Sequence, residues 1–258
     1  MDLTYKGVKI NYDTRGEGEA IVFLHGFLEN SSMWNQITPH FINKYQCITI
    51  DLLGHGASGC IGYIHTMEEM AKSLKAVLDV INVEKVTLIG HSMGGYVALA
   101  FIEEFPLYTD RIVLLNSTSF PDSKERKINR ERAIQIVKNN PQAYTSMAIA
   151  NLFAKENRAR LYQEIIKIKE AASQTPLQGI ISALEGMKIR KDRTHILSSF
   201  EGEKIMLAGK KDPVLSFEQA IEESNRCKVD LIGFSGGHMT YLENQSKFLE
   251  SMQQFLKM

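Results

Sequence analysis

Short apolar runs recur along the chain, each closed by a polar or glycine-rich loop: Ala20–Leu24, Cys47–Ile50, Val86–Ile89, Ile112–Leu115, Lys204–Leu207 and Val229–Ile232. Runs this short, apolar on both faces, predict strands of a buried parallel sheet. Val8–Tyr12 alternates in strand fashion after a Lys-Gly turn and leads to the glycine-rich Arg15–Gly18. Helical stretches lie between. Met67–Val80 follows Thr66, with Glu69 three residues on, the pattern of a capping box. Tyr96–Glu104 is small and apolar enough to pack on a sheet. Ser216–Glu223 opens with Ser216 and places Gln219 at the same offset, and Gln245–Leu256 is the last helical stretch.

Strand and helix alternate, which implies right-handed crossovers and an α/β fold with a doubly wound, mostly parallel sheet. The alternation stops once. Between about Phe120 and Ser199 the sequence turns helical and basic and shows no strand signal. The expected organisation is therefore a core of residues 1–119 and 200–258, interrupted by a helical cap at 120–199. There is no internal repeat and no low-complexity tract.

Composition narrows the class without naming a function. A chain of 258 residues, 44% hydrophobic and 23% charged, buries a sizeable core in one or two domains, and no apolar run approaches a membrane span. The opening Met-Asp-Leu-Thr-Tyr-Lys-Gly lacks the basic and apolar regions of a signal peptide. Cys47, Cys60 and Cys227 are odd in number, without metal-type spacing, and Cys47 falls in an apolar strand, the setting of a buried thiol. A cytoplasmic protein is expected. Lys and Arg equal Asp and Glu at 30 each, which argues against nucleic acid as a partner. Residues 121–200, however, carry 15 Lys and Arg against 8 Asp and Glu, so the cap holds a surplus of positive charge.

The candidate chemistry begins at Val86–Gly95, where a strand pattern breaks into Gly90-x-Ser92-x-Gly94. The spacing asks for a sharp strand-to-helix turn with one hydroxyl at its apex. Glycines flank it because the two backbones approach too closely for Cβ atoms. A serine is a poor nucleophile at its free pKa, so it needs a base and a group to orient that base. His238 follows Ser235-Gly236-Gly237 directly after the last predicted strand, where a base at the carboxyl edge of the sheet would sit. Asp212, in Gly209-Lys210-Lys211-Asp212-Pro213, follows the strand ending at Leu207, and the preceding strand ends in Asn116-Ser117 with no carboxylate. An oxyanion hole needs two backbone N–H groups. Met93, after the serine, and Phe27, in His25-Gly26-Phe27, have the required placement, and Phe27 and Leu28 would wall the acyl pocket.

These motifs, with Asp51-Leu52-Leu53-Gly54-His55-Gly56-Ala57-Ser58, resemble the α/β-hydrolase fold family, and Ser, Asp, His is that family's order. The likeness spans nearly the whole chain. It implies Ser92 as nucleophile, His238 as general base and acid, Asp212 as orienting carboxylate, and a structural role for Asp51 and its glycine loop. A serine at position 92 sets aside the dehalogenase and epoxide hydrolase branches, whose nucleophile is aspartate.

The fold leaves the reaction open. The expected activity is that of a serine esterase cleaving small to medium carboxylic esters through an acyl-enzyme, with a small-molecule ester as partner and no cofactor, metal or membrane. A lactonase, a thioesterase, a C–C hydrolase, a lyase such as the menaquinone-pathway synthase, and a slow-turnover receptor remain alternatives. In the cap, Asn139–Phe153 and Arg158–Ile168 have helical apolar spacing, and Tyr144, Met147, Leu152 and Phe153 are available to roof the substrate pocket. The basic residues Arg126, Lys127, Arg130, Arg132, Arg158, Arg160, Arg190, Lys191 and Arg193 either attract an anionic substrate or form a solvated face.

Overall fold

The computed structural model describes residues 1–257. Eight strands form one sheet: β1 (Asp2–Tyr5), β2 (Val8–Arg15), β3 (Glu19–Leu24), β4 (Tyr45–Ile50), β5 (Val86–His91), β6 (Thr109–Leu115), β7 (Glu203–Gly209) and β8 (Asp230–Phe234). Their order is β1-β2-β4-β3-β5-β6-β7-β8. The pairs β1/β2 and β2/β4 are antiparallel and every other pair is parallel. β1 has no counterpart among the predicted strands. Its Asp-Leu-Thr-Tyr stays at least partly exposed at the sheet edge, so no apolar run marks it. β5, at the centre, is buried throughout, as a strand covered on both faces must be.

Four helices follow the predicted alternation: α1 (Met67–Val80), α2 (Met93–Glu104), α8 (Phe217–Cys227) and α10 (Gln245–Phe255). Thr66 and Ser216 cap their helices as expected, accepting the amides of Glu69 (3.1 Å) and Gln219 (3.2 Å). The box at α1 is only half formed. The Glu69 carboxylate turns away to accept from Tyr5 Oη at 2.9 Å, which ties the edge strand to the helix.

Between β6 and β7 lie α3 (Lys124–Asn139), α4 (Pro141–Ala150), α5 (Tyr162–Ser173), α6 (Leu177–Lys188) and α7 (Thr194–Ser199), with a single turn α9 (Thr240–Glu243) later in the chain. α3 packs on α4 and α6, and α4 on α5, whereas α7 packs on α8 and α2 beside the sheet. α6 seats this group on the core. Its Gly179 lies against the Gly54 backbone too closely for a Cβ, and the Ser182 carbonyl accepts from His65 N at 3.0 Å. Among the described residues no helix is long and apolar enough to cross a membrane. Because the parallel strands all run one way, the loops after β3, β5, β6, β7 and β8 gather at one edge of the sheet.

Candidate active site

β5 ends at His91 and α2 begins at Met93, so Ser92 occupies the whole turn at φ 50°, ψ −113°. That backbone conformation is costly for a side chain bearing a Cβ and persists only where its surroundings over-determine it. Here Ser92 N donates to the Leu115 carbonyl (2.9 Å), and the Ser92 carbonyl accepts from Gly95 N (3.0 Å) and Ser117 Oγ (2.8 Å). A Cβ at Gly90 would stand 2.5 Å from the backbone of Gly95, and one at Gly94 closer still to the Leu24 carbonyl oxygen, which explains both glycines of the motif.

Asp212 lies in the loop after β7 and His238 in the loop after β8. His238 Nδ1 and Asp212 Oδ2 are 2.7 Å apart, with both side chains almost fully buried. Asp212 Oδ1 accepts the amides of Val214 (2.7 Å) and Leu215 (3.0 Å), and Oδ2 also accepts from Asn116 Nδ2 (3.0 Å). Burial pushes the Asp212 carboxyl upward, but the His238 ring and these donors outweigh it and hold it below the ordinary range. The carboxylate accepts, so Nδ1 of His238 carries the hydrogen and a neutral ring keeps its lone pair on Nε2.

The loop after β3 folds back at Leu28, which takes a left-handed φ of 63° while Glu29 N donates to the Gly26 carbonyl (3.2 Å). A bulky residue in that region is an outlier, and its position leaves the Phe27 amide without an acceptor among the described residues. The Met93 amide opens α2, where no intrahelical carbonyl can serve it. Behind this loop, Glu29 is buried. Its Oε2 accepts from Gly26 N (2.9 Å) and His91 Nδ1 (2.7 Å), and its Oε1 from Tyr241 Oη (3.2 Å). His91 Nε2 meets the His238 carbonyl at 2.9 Å. His91 thus faces acceptors with both ring nitrogens, which makes it an imidazolium. Burial opposes that charge, yet Glu29 and the carbonyl raise its pKa above the usual value.

Ser92 and His238 wall one small cavity of about 90 Å³, together with Phe27, Glu29, His91, Tyr96, Arg130, Leu152, Met187 and Val214. A hydroxyl on a strained turn, a carboxylate-bound imidazole and the residue bearing the unserved Phe27 amide share its wall. The family profile of the alpha/beta hydrolase fold matches residues 19–164, more than half of the sequence. The chain belongs to the α/β-hydrolase fold family.

Three similar proteins illustrate the range of that likeness. An uncharacterised protein of Mycobacterium tuberculosis is 34% identical over 114 residues, covering 44% of this chain but only 33% of the relative, so the match spans about a third of that relative's length. The AB hydrolase superfamily protein YisY of Bacillus subtilis is 26% identical over 98% of this chain and 97% of its own. Among solved structures, a thermophilic esterase from Thermogutta terrifontis superposes with a TM-score of 0.91 at 25% identity, covering 99% of this chain and 96% of the esterase.

In this α/β hydrolase the expected pocket roof is only partly where the sequence puts it. Leu152 lines the cavity beside Ser92, whereas Leu28, Tyr144, Met147 and Phe153 do not. Met147 is 53% exposed and Phe153 is buried in the core at 1%. Leu28 lines a separate cleft of about 270 Å³ against α5, and Tyr144 packs half-buried on the core. Apolar spacing identifies α4 as a helix without showing which side meets the core. Its residues are apolar almost all round, so no polar face marks the outside.

Asp51 accepts from Ser31 N (2.7 Å) and Ala57 N (2.9 Å), a structural use in keeping with the resemblance. His25 accepts from Leu52 N and donates to the Gly26 carbonyl, which shapes the loop from within. Nothing in the sequence assigns a role in the site to Glu29, Asn116 or Glu243. Glu29, three residues past Gly26, is the only one with a local signal, an acidic residue directly after the apolar pair Phe27-Leu28. Glu243 takes the amides of Gly237 (2.9 Å) and Met239 (3.3 Å) on Oε1, and Ala154 N (3.1 Å) and Asn157 Nδ2 (2.7 Å) on Oε2. It thereby fastens the His238 loop to the segment after α4.

The basic surplus is also not a uniformly solvated face. Arg193 is buried between Glu68 and Glu103, and Arg126, Arg130 and Arg190 converge on Asp122.

Proposed function

We propose that this α/β hydrolase is a serine esterase that cleaves small carboxylic esters through an acyl-enzyme on Ser92. The observation that carries the reading is the bond from His238 Nδ1 to Asp212, 2.7 Å long, in a cavity whose wall also contains the strained Ser92. In this scheme Ser92 Oγ attacks the ester carbonyl while Nε2 of His238 takes its proton. The amides of Phe27 and Met93 hold the tetrahedral oxyanion. His238 then gives the proton to the departing alcohol, leaving an ester bond from the acyl group to Ser92. Water, deprotonated by the same Nε2, attacks that bond, and the acid leaves as the serine regains its hydrogen. Asp212 keeps the ring in the productive tautomer throughout.

Ester substrates are supported by the likeness to the Thermogutta esterase along nearly the whole chain. Small ones are supported by the cavity, whose 90 Å³ lies well below the roughly 300–1,000 Å³ of pockets for drug-sized ligands. The test is hydrolysis of p-nitrophenyl esters of increasing acyl length by wild type and Ser92→Ala. Turnover of roughly 1–10³ per second on short chains, lost in the variant by on the order of 10⁶, is expected. Activity retained in Ser92→Ala would move the nucleophile elsewhere. Negligible turnover by a folded wild type would favour a lyase, a C–C hydrolase or a receptor.

A further inference from the structure

Asp122, just ahead of α3, has no side-chain exposure, and three guanidinium groups surround its carboxylate. Arg130 binds it through Nε and through Nη2 (3.4 Å), Arg190 through Nη1, and Arg126 Nη1 stands 3.9 Å away. Three positive charges against one negative leave a surplus of two. Arg190 is otherwise committed: Nε and Nη2 donate to the Phe120 carbonyl (3.2 and 3.1 Å), Nη1 also reaches the Met187 carbonyl (3.1 Å), and its guanidinium lies 4.1 Å over the Tyr96 ring. Arg126 spends Nη2 on the Val214 carbonyl.

Arg130 alone of the three lines the cavity that holds Ser92 and His238, and its Nη1 meets no acceptor among the described residues. Its side chain is only 17% exposed, so solvent screens the charge weakly. Of the other charged groups near that wall, Glu29 faces the His91 imidazolium, and Asp212, behind His238, has its oxygens taken by His238, Asn116 and the amides of Val214 and Leu215. A cavity with a mostly buried guanidinium on its wall, a local surplus of positive charge and spare N–H donors is suited to an anion. The planar fork of arginine matches a carboxylate better than any other small group of the acyl-transfer chemistry.

We infer that Arg130 forms a carboxylate subsite, and that the substrate is a short ester carrying a second, free carboxylate close to its scissile carbonyl. The inference rests on the assignment of Ser92 as nucleophile. Arg130 shares Asp122 with Arg190 and Arg126, so one carboxylate is set against three guanidinium groups and positive charge is left over at the Arg130 wall.

The experiment compares monomethyl succinate with its neutral isostere methyl 4-methylpentanoate, and acetoxyacetate with isobutyl acetate, followed by pH-stat. The first pair places the carboxylate on the acyl side and the second on the alcohol side. Wild type is expected to prefer the charged member of one pair by at least about tenfold in kcat/KM, and Arg130→Gln to bring that ratio close to one. Arg130→Lys keeps a charge against Asp122 but loses the fork, and an intermediate ratio is expected. A ratio near one in wild type, or a preference untouched in both variants, would overturn the subsite.

Succinate binding to Ser92→Ala, with and without Arg130→Gln, separates this inference from the esterase reading. Esters hydrolysed with no charge preference and no succinate bound would remove the subsite and leave the esterase. Arg130-dependent succinate binding in a protein that hydrolyses neither pair would remove the esterase and leave the subsite.

Discussion

Glu29 Oε2 and His91 Nδ1 stand 2.7 Å apart as an ion pair whose side chains are only 2% and 1% exposed. The pair binds two further segments, the loop after β3 through Gly26 N and the stretch after β8 through Tyr241 Oη and the His238 carbonyl. It therefore sets the spacing between the loop of Phe27, the turn of Ser92 and the backbone of His238. Burial alone would discourage both charges; each is retained because the other is there.

Glu29→Gln strips the counter-charge from a buried imidazolium and is expected to cost roughly 3–5 kcal/mol. The cost depends on pH. His91, raised above its ordinary 6.5, contributes fully below that pH and loses its contribution as pH climbs through the raised value. Glu29, held below its ordinary 4.5, contributes fully above that pH and loses it as pH falls through the lowered value. The wild-type advantage should peak between 4.5 and 6.5 and shrink on the alkaline side, which urea midpoints across pH would show. A difference that is flat with pH would exclude the ion pair as its source.

Asp212→Asn keeps the shape of the site but offers His238 a donor in place of an acceptor at one of two orientations. The ring then loses the partner that keeps its hydrogen on Nδ1. On the ester scheme kcat should fall by on the order of 10⁴ while KM changes little. A near-normal rate in steady-state kinetics would place the orienting acid elsewhere.

Asn116→Asp tests the neighbour that donates to Asp212 Oδ2 at 3.0 Å. Position 116 has a left-handed φ of 44°, which aspartate tolerates much as asparagine does. A second carboxylate there raises the pKa of the pair, so Asp212 takes up a proton at higher pH. The acid limb of kcat/KM against pH is expected to move up by about one unit or more. An unmoved limb would show that Asn116 does not act through Asp212.

Glu243→Gln removes a carboxylate that serves four donors on two sides of the site. An amide cannot accept from all of them, and each donor left unserved costs about 1–3 kcal/mol. Hydrogen exchange should speed up at Gly237 and Ala154 together, because both amides end on the same side chain. Faster exchange at one of them alone would show that the His238 loop and the segment after α4 are not fastened through Glu243.

Much of the frame is legible in the chain. The apolar runs that predict strands fall within β3–β7, and the last, Val229–Ile232, starts one residue ahead of β8, because a parallel sheet covered on both faces demands local apolarity along its strands. The turn at Ser92 is legible for a similar reason: close strand–helix approach requires Gly90 and Gly94 within two residues of it. Asp212 and His238 are legible from their places after strands, since the direction of a parallel sheet brings those loops to one edge. β1 escapes the same reading because an edge strand with exposed faces needs no apolar pattern.

What the sequence by itself determined is thus the set of features enforced by near neighbours: strand order along the chain, the elbow, the caps at Thr66 and Ser216, and the loops that bear Ser92, Asp212 and His238. Only the tertiary structure decided which distant groups share a charge or a wall. Glu29 meets His91 across 62 residues, Asn116 meets Asp212 across 96, and Glu243 meets Ala154 across 89. It also decided that Arg130 and Leu152 face the cavity while Met147 faces outward. The reason is that helical spacing sets which residues of α3 and α4 share a face, whereas the direction of that face depends on how α3 docks on α6 and α4 on α5. That docking is a property of the packed molecule, and no single segment carries it.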